Sequence, residues 1–134
     1  MALVSRATDG FTGKVKDLTG PGLTDQFGAT CTDLGASVVA ADGHLVSVFG
    51  DTFAGNRVGS GDWRSPVILI GSGDATHPIV YRKAGGADGR YARQLWHYQH
   101  RHTPGLLRRN ISTVIPSDLL RVGDTLYLHA IVNQ

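Results

Sequence analysis

Two stretches of this chain repeat one plan, and that repetition constrains the fold more than any other feature. The first starts at Cys31-Thr-Asp-Leu-Gly35, turns at Ala41-Asp-Gly-His44, and returns as Leu45-Val-Ser-Val-Phe49 to reach Asp51. The second, Thr113-Val-Ile-Pro-Ser-Asp-Leu-Leu-Arg121, turns at Val122-Gly-Asp124 and returns as Thr125-Leu-Tyr-Leu-His-Ala-Ile-Val132. Apolar and β-branched runs that meet at a Gly/Asp turn are hairpin signals. Laying Leu126 on Leu45 sets the two hairpins about 81 residues apart. Repeated four-stranded units, each on the order of 40–50 residues plus insertions, mark a β-propeller.

The rest of the chain agrees with an all-β reading. Gly, Pro, Asp and Thr interrupt most windows of helical length, so helical periodicity is nearly absent. Between the hairpins, Val67-Ile-Leu-Ile70 after Ser65-Pro66 reads as a buried strand, and Pro78-Ile-Val-Tyr-Arg82 as a shorter edge strand. Residues 1–134 then form the N-terminal part of one propeller domain, about one and a half blades. A loop-rich leading segment spans 1–28, the first blade 29–82, a connecting loop 83–110, and the inner half of the second blade 111–134. A repeat needs neighbours to bury its faces. The remaining blades are therefore expected from a missing C-terminal part or from another chain.

The first hairpin carries an acid at each end, and its register decides whether they meet. A two-residue loop at Asp42-Gly43 pairs Asp33 with Thr52 and sends the acids to opposite faces. A three-residue loop, Ala41-Asp42-Gly43 with Gly43 left-handed, pairs Asp33 with Asp51. Directly opposite side chains share a face, and the second arrangement is expected. Two carboxyls at one edge of a rigid sheet suit acid/base glycosidic chemistry, with a separation of about 5–5.5 Å for retention or roughly 6.5–9.5 Å for inversion. The bland alternative is that Asp33 caps a turn and Asp51 is a solvated strand end.

Composition removes other classes. A formal net charge of +2, with basic residues scattered apart from Arg108-Arg109, argues against nucleic acid as partner. The single cysteine, Cys31, excludes an internal disulfide and a Cys-rich zinc site. No stretch has the length of a membrane span, and Met1 to Gly20 lacks the apolar core of a signal peptide, so membrane insertion is not expected. There is no phosphate-binding Gly-x-x-x-x-Gly-Lys loop and no Gly-x-Ser-x-Gly nucleophile elbow. No cofactor is implied.

Further candidates cluster in two places. Asp62-Trp63-Arg64 follows a Gly-rich loop at the rim of Asp51; Trp63 suits stacking on a sugar or plugging between blades, and Arg64 suits orienting a hydroxyl or carboxylate. In Trp96-His-Tyr-Gln-His-Arg-His102, the histidines at 97, 100 and 102 match no helical or finger-type metal spacing, so no metal site is expected. Trp96, Tyr98 and His100 instead suit sugar contacts on a loop beside the cleft. By the hairpin offset Thr113 falls on Thr32 and Asn133 on Thr52, which makes Thr52, Thr113 and Asn133 candidates to line the funnel. Asp118, inside a strand, reads as structural, with a third acid as the weaker alternative.

Several ordered motifs carry a family resemblance: Asp17-Leu-Thr-Gly-Pro-Gly22, Thr32-Asp-Leu-Gly35, Phe49-Gly-Asp-Thr-Phe53, Gly61-Asp-Trp-Arg-Ser-Pro66, Thr113-Val-Ile-Pro-Ser-Asp118 and Val122-Gly-Asp-Thr-Leu-Tyr-Leu128. Over residues 16–134 the chain resembles a largely actinobacterial and phage family, once known only as a domain of unknown function and since grouped as endo-D-arabinanases. The resemblance implies a five-bladed β-propeller that hydrolyses the D-arabinan of mycobacterial arabinogalactan and lipoarabinomannan. Asp33 and Asp51 match the family acids at the propeller mouth, one as acid and the other as nucleophile or base. It also implies action on a cell-envelope glycan, hence an extracellular or phage-delivered protein. The competing expectations are a non-catalytic carbohydrate-binding propeller of a phage or cell surface, and a purely structural one.

Overall fold

The structure, a computed structural model, describes residues 16–74, 76–100 and 111–134. The expectations for residues 1–15, and for 101–110 with His102, lie outside the described residues. What is described is all-β and antiparallel, with a single turn of 3-10 helix at Asp25–Phe27. Among the described residues no helix is long and apolar enough to cross a membrane.

A four-stranded sheet forms the centre, in the order β2 (Gly35–Val39), β3 (Leu45–Phe49), β6 (Val67–Ser72), β7 (Val80–Ala84). The β2–β3 turn is the expected three-residue loop. Ala40 N–H donates to His44 O at 2.8 Å, and Gly43 takes the left-handed conformation with φ 82°. Val39 accordingly pairs with Leu45 and Gly35 with Phe49. β7 begins at Val80, two residues later than the sequence suggests; Pro78 has no N–H to give to a ladder.

Sequence patterning missed a second, smaller sheet: β1 (Cys31–Thr32), β4 (Thr52–Phe53) and β5 (Trp63–Arg64), in the order β1-β4-β5. Its register continues that of the large sheet. Thr32 pairs with Thr52, as Gly35 pairs with Phe49, and Thr52 pairs with Arg64, as Phe49 pairs with Val67. The small sheet is therefore the bent end of the large one. The bend falls at Asp33-Leu34 on one strand and Gly50-Asp51 on the next. Leu34 marks it with φ 43°, a conformation that is unfavourable for a side chain of this kind.

The second hairpin, β8 (Thr113–Val122) with β9 (Thr125–Asn133), packs across the face of β2 and β3. A bulge between Pro116 and Asp118 lets the proline sit within the ladder. β3 is thus covered on both faces. Leu45 and Phe49 join Phe27, Val67, Leu69 and Tyr81 on one side, and Val46 and Val48 meet Leu119, Leu126 and Leu128 on the other. This double burial explains why Leu45–Phe49 runs apolar instead of alternating. Ser47, fully buried within that run, is satisfied by Ser37 Oγ at 2.6 Å and by the Tyr81 hydroxyl at 2.9 Å.

Candidate functional site

The two acids meet at the bend. Asp33 N–H donates to Asp51 O at 3.2 Å, and Gly50 N–H donates to Asp33 O at 2.9 Å, so Asp33 lies across from Asp51 in the break between the two sheets. The close approach needs a glycine: a Cβ on Gly50 would come within 2.6 Å of Asp33 Oδ1. Asp33 is exposed, yet partial burial, and then the charge of Asp51, holds its carboxyl above the ordinary carboxylate value, against a smaller opposing effect of the backbone hydrogen bond.

Asp51 is half-buried and firmly held. Its Oδ1 accepts the indole N–H of Trp63 at 3.0 Å and the hydroxyl of Thr113 at 2.7 Å, and Oδ2 has no protein partner among the described residues. Trp63 comes from β5 and Thr113 from the start of β8, so the acid's orientation depends on the second hairpin docking on the first. One carboxylate oxygen is thus fixed by two donors.

Behind Asp51 stands an aromatic wall. The Trp63 ring stacks on His100, with centroids 3.8 Å apart, and on Phe53 at 6.0 Å. His100 is fixed in turn: Nδ1 lies 2.8 Å from Ser112 O, and Nε2 lies 2.8 Å from Gln94 Oε1. Gln94 also donates from Nε2 to Trp96 O at 2.8 Å and Tyr98 O at 3.0 Å. The Tyr98 hydroxyl donates to Ser65 O and accepts Val114 N–H, and burial raises its pKa. Gln94 is thus the hub of the loop, and nothing in the sequence singled it out; a lone glutamine in a loop carries no periodic or motif signal.

The other candidate residues are engaged differently. Thr52 is fully buried, and its hydroxyl donates to Gly50 O at 3.0 Å. Arg64, 4% exposed, spends its guanidinium on Ala92 O and Gly28 O, both at 2.5 Å, on the Asp62 carboxylate at 3.2 Å, and over the Tyr91 ring. It clamps the loop around Ala92 to β5. Trp96 is exposed on the same loop, and Asn133 is exposed opposite Thr113 at the end of β9. Asp118 Oδ1 accepts Leu119 N–H at 2.8 Å and stands apart from the acids on the ladder. Among the described residues, no group of three His, Cys, Asp or Glu side chains is placed to hold a metal ion.

No curated protein matches the chain. A family model does, the one described as "Domain of unknown function (DUF4185)", over residues 19–134. That span holds the bend, both acids, the aromatic wall and the second hairpin, and the chain belongs to this family.

Proposed function

We propose that this chain is part of a β-propeller glycoside hydrolase that cleaves D-arabinofuranosyl linkages within a polymer, with Asp33 as general acid and Asp51 as nucleophile or water-activating base. The observation that carries the reading is the bent rung: two aspartates are joined across the strands where the sheet turns, close enough for the charge of one to act on the other, and in different surroundings. Asp33, raised by burial and by its neighbour's charge, is suited to keep a proton and deliver it to the leaving glycosidic oxygen. Asp51, with one oxygen tied to Trp63 and Thr113, presents its other oxygen to the anomeric carbon or to a water.

The propeller part of the reading draws on two features. The large sheet is a four-stranded antiparallel meander, and the next hairpin packs on its face as one blade packs on another. The arabinan part draws on the ordered motifs from Asp17 to Leu128.

The test is incubation of the protein with mycobacterial arabinogalactan, with products resolved by length. Internal cleavage should release a ladder of oligosaccharides, and Asp33→Asn and Asp51→Asn should each remove it. Undiminished release by both variants would sink the catalytic assignment. Binding of the glycan without products in the unaltered protein would favour the non-catalytic carbohydrate-binding alternative.

A further inference from the structure

The two tryptophans differ in what they can still bind. Trp63 is built into the wall behind Asp51, with its N–H and its ring both engaged. Trp96 is 46% exposed, and among the described residues no ring stacks on it. It borders an open cavity of about 420 Å³ shared with Asp62, Arg64, Tyr91, Arg93 and Gln94.

The polar groups of this cavity are arranged for hydroxyls. Asp62 Oδ2 accepts the Tyr91 hydroxyl at 2.9 Å and pairs with Arg64, which leaves Oδ1 without a protein partner among the described residues. Arg93 reaches Asp88 only at 3.8 Å, and its largely exposed guanidinium keeps donors to offer. An aromatic face, a carboxylate acceptor and a guanidinium donor around one cavity recognise a polyhydroxylated ring. An anion would be drawn by Arg93 alone: the Arg64 guanidinium is already occupied by carbonyls and Asp62, and the open Asp62 oxygen repels negative charge and offsets that attraction.

The cavity is coupled to the acids through the chain. Asp62 and Arg64 are the neighbours of Trp63, whose indole holds Asp51, and Gln94 both lines the cavity and fixes His100 against Trp63. We infer that this cavity is a distal glycan subsite, taking a neutral furanose ring of the bound polymer on Trp96 with Asp62 and Arg93 as its hydroxyl partners. The choice of sugar rests on the function proposed above; the cavity's preference for a neutral polyol does not. Contacts made far from the scissile bond help to drive the chemical step, so oligomers too short to span both places should be poor substrates.

The experiment is calorimetric titration of the Asp33→Asn protein with D-arabinofuranose oligosaccharides, from the disaccharide upward, with and without Trp96→Ala or Trp96→Phe. Trp96→Ala should weaken binding of the longer oligomers by about tenfold, the scale of one aromatic contact, and leave the shortest unchanged. Trp96→Phe should recover most of the loss. Equal affinity at every length in Trp96→Ala, or tighter binding of a sulfated oligosaccharide than of the neutral one, overturns the subsite. Length-dependent binding through Trp96 in a protein that releases no products would keep the subsite and reject the hydrolase. Hydrolysis that is indifferent to Trp96 at every length would do the reverse.

Discussion

The two hairpins share a plan but differ at one rung. Where the first carries Asp33 opposite Asp51, the second, displaced by about 81 residues, carries Val114 opposite Val132. The flanking rung is polar in both, Thr32 with Thr52 and Thr113 with Asn133. The first hairpin bends at its acids, with Leu34 held at φ 43°; the second passes the matching positions as unbroken strand. A hairpin of this design therefore folds without carboxylates and without the bend. The acids and the strained residue occur together in the first hairpin.

The largest effect should separate the two rungs. Asp33→Asn or Asp51→Asn should lower release of oligosaccharides from D-arabinan by about 100- to 10,000-fold, the range for a lost acid or base. Val132→Thr at the matching rung should change it less than about twofold, since Val132 is half exposed and carries no group that can hold or move a proton. A comparable loss at both rungs would erase the distinction.

Stability should separate the central sheet from the second hairpin. Leu69, fully buried beside β3, should cost about 2–5 kcal/mol on Leu69→Ala in urea unfolding. Leu120, on the outer face of β8 and 44% exposed, should cost under about 1 kcal/mol. Thr113→Val removes the hydroxyl that ties the second hairpin to Asp51 and should lower kcat by about 10- to 100-fold, the scale of a hydrogen bond to a charged group, with little change in KM.

Smaller effects probe the bend itself. Leu34→Gly should leave stability unchanged or raise it by up to about 1 kcal/mol, because glycine relieves the positive φ at some cost in chain entropy. Ile115→Gly, at the matching place in the straight hairpin, should cost about 2–3 kcal/mol. Asp33→Asn should stabilise the protein by less than about 1 kcal/mol at neutral pH, since the site is largely solvated. The sign follows from the raised carboxyl: its protonated form favours the fold at low pH, and that contribution is lost as pH rises through the folded value. The variant's advantage in Tm should therefore vanish as pH falls toward about 3.9, the unperturbed aspartate value.

The parts legible in sequence were those written in local chemistry. Asp42-Gly43 sets a three-residue loop, and that loop alone fixes the register that brings Asp33 to Asp51. The hairpin repeat set Thr113 level with Thr32, and the structure places its hydroxyl on Asp51. What stayed hidden depends on long-range contacts. β1, β4 and β5 are two residues each, too short for any periodicity, and exist because they extend neighbouring ladders past the bend. Arg64 turns inward because distant carbonyls at Gly28 and Ala92 need donors, and Gln94 because the Ser65 N–H, 29 residues away in sequence, needs an acceptor. No single stretch of sequence announces those partners.

The most direct measurement of the shared rung is carboxyl-carbon NMR titration of Asp33 in the unaltered protein and in Asp51→Asn. Asp33 should titrate above the ordinary aspartate range, and neutralising Asp51 should bring its pKa down, because that charge is the second cause of the elevation after burial. An Asp33 that titrates at the ordinary value and does not respond to Asp51→Asn would contradict the paired-carboxyl account.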